Sequence, residues 1–181
     1  MHMRRLTPVL ALALASTLSS CGFDYATDRV YTPAAGPIAR DASVDVLSAV
    51  IVSKAPGAGT FIAGLSNNSG SEDVVFEAIR PVGDTSIAFE ELEPRTIAPL
   101  GYENLAEAGN GIPVTGEFRA GQFVSVQLSF DTGEDVEMQV PVVTDCDMFD
   151  GFDTSTEGEG EEYDCEYIEP EYDGRYEGYE G

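Results

Sequence analysis

Histidine, tryptophan and lysine are almost wholly missing from this chain. Its 181 residues hold one His, no Trp, and nine Lys plus Arg against 33 Asp plus Glu, a formal net charge of −24. The single imidazole is His2, in a segment expected to be removed, and without it Ser-His-Asp and Cys-His catalysis and His-ligated metals are excluded. The shortage of cations excludes nucleic acid, whose affinity comes mainly from neutralised phosphates, and docking on anionic lipid through a basic face. Glu90, Glu91 and Glu93 offer carboxylates but no catalytic partner, so neither enzyme activity nor a cofactor is expected. Gly57-Ala58-Gly59-Thr60 lacks the lysine and spacing of a phosphate loop and reads as a turn.

What is present at the N-terminus is an address. Arg4 and Arg5 precede the apolar run Val9–Ala15, too short to span a bilayer and suited to a secretory signal. Leu18-Ser19-Ser20-Cys21-Gly22 looks like a bacterial lipobox, which implies cleavage before Cys21 and a diacylglycerol on its thiol. Residues 1–20 are therefore expected to be a signal peptide, and removing its two arginines takes the charge to −26. Two or more acyl chains suffice for stable attachment, at about 0.8 kcal/mol per buried CH₂. The expected location is the extracytoplasmic face of a cell membrane, with the membrane as partner through the lipid on Cys21.

Residues 21–43, with Pro33, Pro37 and no apolar periodicity, read as a lipidated tether. Residues 44–143 read as one all-β domain. Val124, Val126, Leu128 and Phe130 alternate with polar residues; Asp131-Thr132-Gly133-Glu134 turns; Val136, Met138, Val140 and Val142 alternate again. Two period-2 runs about an Asp/Gly turn make a hairpin, and Pro141 predicts an edge or an ending there. Further strands are expected over residues 44–53, 60–67, 74–80, 86–89, 96–100 and 112–115, with a helical turn within 100–108. About seven to nine short strands with turn residues every 8–12 positions predict a single β-sandwich, Ig-like or cupredoxin-like.

Residues 144–181 differ in kind. Fifteen acids against Arg175 give them a charge of −14, with few aliphatics, which predicts disorder. The domain would then need nothing after Val143. Cys146 and Cys165 are the pair left for a disulfide once Cys21 is lipidated. Asp145, Asp147, Asp150 and Asp153 approach the spacing of a calcium loop but miss its register, leaving only weak, multivalent binding of divalent cations.

Within the body, Leu65-Ser66-Asn67-Asn68, Ile97-Ala98-Pro99 and the closing Val-Pro-Val strand resemble the periplasmic copper chaperone family PCuAC, and more closely its actinobacterial lipoprotein relatives. The resemblance covers roughly residues 44–143 and implies a β-sandwich that holds Cu(I) with His and Met from two loops. Here the ligand positions fall on Ile112 and Val114 and within 83–93, which has neither His nor Met. Beyond residue 20 the chain has only Met138 and Met148 as thioethers, and Met138 is expected to pack in the core. The residues alone favour a non-enzymatic binding or structural module, with copper or other metal handling as the alternative.

Overall fold

A computed structural model describes residues 36–40, 42–83, 86–107, 109–155, 158 and 160–166. The signal segment, Cys21, the tether up to residue 35 and the C-terminal residues 167–181 lie outside the described residues. Nine strands follow in chain order: β1 Val44–Ser53, β2 Ala58–Asn67, β3 Val74–Pro81, β4 Ala88–Phe89, β5 Arg95–Ile97, β6 Tyr102–Asn104, β7 Ile112–Thr115, β8 Phe123–Phe130 and β9 Asp135–Thr144. Among the described residues there is no α-helix, only a 3-10 turn at Asp147–Phe149. The expected all-β sandwich is the fold observed. It is one sheet, β4-β7-β2-β1-β9-β8-β3-β5 with β6 beside β2, curled until its two halves face each other.

The strand that turns the corner is β9. Its first half pairs antiparallel with β8, from Ser129↔Asp135 to Phe123↔Pro141. Its end pairs parallel with β1, from Ile51↔Val142 to Ser53↔Thr144. Pro141 was expected to mark an edge or an end, and it does neither: β9 is central and runs on to Thr144. The proline, which has no N–H to give, sits where the pairing with β1 begins, and the β8 side continues past it: Val142 donates to the Gln122 carbonyl at 2.8 Å and accepts the Gly121 N–H at 2.9 Å.

The core lies between the halves. Val124, Val126, Leu128 and Phe130 of β8 and Val136, Val140 and Val142 of β9 are buried, and Met138 packs half-buried against them. Phe76 of β3 meets Phe130 with ring centroids 5.6 Å apart. Phe61 of β2 stands edge-on to Phe89, 6.3 Å away. The Asn67 amide is also buried, and its Nδ2 reaches the carbonyls of Glu72, Ile97 and Ala98 at 2.8–3.1 Å. That explains the Asn67 and Ile97-Ala98 motifs structurally: one side chain staples the end of β2 to two loops.

Two boundaries differ from expectation. Residues 36–40 are not a free tether end. Ala39 and Val46 exchange backbone hydrogen bonds of 2.8 and 2.9 Å, and Gly36, at φ +91°, lies so close to β1 that any Cβ would strike the Ala49 carbonyl. Residues 102–104 form β6 on β2 rather than a helical turn. At the β8–β9 turn, the Ser43 hydroxyl faces Glu134 without hydrogen-bond geometry, and the Ser43 N–H donates to Glu134 Oε2 at 2.9 Å; together they hold this exposed carboxyl below its ordinary range.

Phe76→Ala should lower unfolding free energy by about 3–5 kcal/mol, since the ring is fully buried and its loss leaves a cavity beside Phe130. Phe123→Ala, at a ring 65% exposed, should change it by less than about 0.5 kcal/mol. Urea titration of both variants tests the assignment of the core.

Candidate functional site

The segment after β9 folds back as a strap over the outer face of β1 and β2. This overturns the expectation of disorder for residues 144–166 as far as they are described, and with it the claim that the domain needs nothing after Val143. Phe149 and Phe152 pack with Val143 and Ala106 on Val50, Val52 and Ile62, forming a second, smaller apolar cluster. The inner and outer clusters together bury nearly every residue of β2. Strands covered on both faces read as continuous apolar runs, and Val50-Ile51-Val52 and Phe61-Ile62-Ala63 are such runs.

Two aspartates hold the strap down. Asp145 is 7% exposed, and its Oδ1 accepts the N–H groups of Phe152 and Asp153 at 2.9 and 3.1 Å, while Lys54 Nζ lies 3.5 Å from Oδ2. Asp153 is buried deeper still. Its Oδ2 accepts the Lys54 N–H at 2.7 Å, and its Oδ1 accepts from the Thr60 hydroxyl at 3.1 Å and from Ser155 N–H and Oγ at 2.9 and 2.6 Å. Lys54 Nζ also donates to the Asp153 carbonyl at 2.9 Å. The spacing that suggested a calcium loop has another cause. The carboxylates at its two ends are buried and close the loop on the chain's own donors instead of facing outward for a cation.

Two further ties follow. Cys146 and Cys165 are joined by a disulfide with Cα atoms 5.5 Å apart. Tyr163 donates its N–H to the Lys54 carbonyl at 2.8 Å, and its phenol oxygen accepts the Ala120 N–H at 2.9 Å. Closing a loop of this length removes about 3 kcal/mol of chain entropy from the unfolded state.

Where the strap meets the sheet it leaves an apolar groove of about 270 Å³. It is lined by Ile62, Ala63 and Gly64 of β2, by Leu47 and Tyr102 from the strands β1 and β6 that flank β2, and by Met148, Phe149 and Phe152 of the strap. Tyr102 lies across Gly64, where a Cβ would collide with the phenol. Ser48, at φ +52° in the β1 bulge between Leu47 and Val50, lines the same groove. Tyr102 and Met148 are 59% and 62% exposed, so the groove has a wet apolar rim. Sequence reading missed it because one of its walls comes from the strap.

The other candidates fare differently. Ile112 and Val114, at the copper-ligand positions implied by the resemblance, are buried in the core on β7. Met138 packs inward and Met148 sits on the groove rim. The Cys146 and Cys165 sulfurs are bonded to each other. Glu90, Glu91 and Glu93 are exposed beside a cleft they share with Arg95, whose guanidinium is held by Glu103 at 3.1 Å and the Asn110 carbonyl at 2.8 Å. Among the described residues, no cluster of three His, Cys, Asp or Glu side chains is disposed to hold a metal ion.

Truncation after Thr144 should destabilise the domain by several kcal/mol, because it strips Val50, Val52 and Ile62 of their cover and leaves Lys54 and Thr60 unpaired. Asp153→Ala alone should cost about 2–4 kcal/mol by leaving buried donors without acceptors. Thermal melts read both; a truncated chain melting with the intact one would refute the structural role of the strap.

No family model matches the chain, and no curated protein matches it. Similar solved structures include the apo PCuAC domain from PmoF1, with TM-score 0.49 and 13% identity over 60% of this chain and 99% of that one. The copper-bound PCuAC domain from PmoF2 has TM-score 0.49 and 11% identity over 60% and 98%. The apo PmoF2 PCuAC domain has TM-score 0.47 and 10% identity over 60% and 95%. At these scores the likeness is one of backbone course, and it assigns this chain neither copper nor a partner.

Proposed function

We propose that the protein is a lipid-anchored extracytoplasmic β-sandwich that works by binding rather than by catalysis. The observation that carries this reading is where the reactive side chains go. Asp145, Asp153, Lys54 and Thr60 are spent on one another and on backbone N–H groups, and both strap cysteines are tied in a disulfide. A nucleophile or general base needs a free, activated group beside a reacting centre, and none of these is free. What the surface offers instead is an apolar groove with a rigid floor.

Two independent features support that compartment. A disulfide persists outside the reducing cytoplasm, and the Leu18–Cys21 motif has the form of a lipidation signal. Copper handling, the alternative reading, gains nothing from the ligand positions: Ile112 and Val114 are buried hydrocarbon, and soft sulfur is limited to Met138 and Met148 on separate features.

Metabolic labelling with an alkyne fatty acid tests the anchor. The full chain should take up label in a bacterial host and Cys21→Ala should take up none; label retained by the variant would refute it. Titration with Cu(I) should give no stoichiometric sub-micromolar binding, and a one-to-one complex at that affinity would reinstate the copper reading.

A further inference from the structure

The groove between the strap and β2 has a character that narrows its occupant. Its centre is apolar: Ile62, Leu47, Phe149 and Phe152, with the Tyr102 ring and the Met148 thioether on the rim. Exposed acids adjoin its lining residues in the chain. Glu107 follows the lining residue Ala106, Asp147 precedes Met148, and Asp150 follows Phe149; all three are exposed, and none forms an ion pair among the described residues. The one lysine is already held by Asp145 and Asp153.

We infer that the groove is a docking site for a partner polypeptide segment in which apolar side chains are flanked by Lys or Arg. Three arguments favour that occupant. At about 270 Å³ and open on one side, the groove is smaller than the roughly 300–1,000 Å³ of sites that enclose drug-sized ligands, and it suits a few side chains entering from a backbone that stays outside. An anionic lipid surface would be repelled by Glu107, Asp147 and Asp150, whereas cationic flanks on a peptide complement them and speed encounter. The chain's own residues 167–181 hold five acids against one arginine and meet the same repulsion, as does a second copy carrying a net charge near −24. Exposed Tyr and Met over a fixed floor are the kinds of side chain that anchor such contacts.

This deepens the binding-module reading and rests on it. The test uses the purified full chain with its disulfide intact and three labelled twelve-residue peptides, alternating Leu/Lys, Ser/Lys and Leu/Glu, in fluorescence anisotropy at physiological salt. The Leu/Lys peptide should bind at least about tenfold more tightly than either of the others. The exposed double substitution Tyr102→Ala with Met148→Ala should weaken it about tenfold or more, while Phe123→Ala, an equally exposed aromatic outside the groove, should leave it within about twofold. Equal binding of Ser/Lys would reduce the effect to bulk charge and overturn the proposal. So would unchanged affinity in the double variant, whose melt checks that it is folded. Self-association of the free chain that the double variant abolishes would give the groove to a second copy and overturn it as well. Because fatty-acid labelling of Cys21 is read separately, an anchored chain that ignores the peptide removes this inference and leaves the anchor standing.

Discussion

The contact on which the outer half of the molecule depends is between the Asp153 carboxylate and the turn that joins β1 to β2. Lys54 N–H and the Thr60 hydroxyl both point at it, from the end of one strand and the start of the next. A buried carboxylate is tolerated only when donors surround it, and Asp153 takes them from the turn and from its own loop. Once that group is seated, the strap direction is set, Phe149 and Phe152 fall over Val50, Val52 and Ile62, and the disulfide and Tyr163 fix the return path. The acid-rich segment is thus held by a few acids used as acceptors, while Asp147, Asp150, Glu161, Glu162, Asp164 and Glu166 face water.

The same economy of backbone groups governs the inner half. The sheet curls about β9, which pairs antiparallel with β8 along its first half and takes β1 as a parallel neighbour from Val142 onward, just past Pro141. The bulge at Ser48 is a second local departure, placed where β1 passes under the groove. Its left-handed backbone is uncommon for a residue with a Cβ and bends the strand there. Fold and groove meet at Ser48: the bulge that bends β1 also lines the opening on its outer face.

Much of the fold was legible because its signal is local. The β8–β9 hairpin, the β1 span and β7 announce themselves by alternation and by turn residues. The strap was not legible, because composition argued against it: fifteen acids over residues 144–181 suggest a chain with nothing to bury. Composition averages over positions, whereas packing depends on a few of them. Phe149, Phe152, Asp145 and Asp153 are a small minority of that segment, and their role depends on an uncovered face of β1 and β2 that pattern alone does not display. The clue was the lack of alternation in Phe61-Ile62-Ala63, a run too apolar for a strand wet on one side. The groove escaped for the same reason, since its walls come from residues a hundred positions apart.

The distribution of charge gives the groove its meaning. A protein with 33 acids and nine Lys plus Arg repels most anionic surfaces it meets, including copies of itself. Apolar side chains left on such a surface are protected from indiscriminate contact, because anionic polypeptides and lipids are repelled before they reach them. Tyr102 and Met148 can therefore remain exposed without inviting aggregation, and what overcomes the barrier must bring its own cations. Selectivity then arises less from a shape cut for one ligand than from a field that rejects the others. The clasp contributes to that arrangement: Lys54, from the turn between β1 and β2, is paired with Asp145 and so offers no unpaired ammonium group beside the strap.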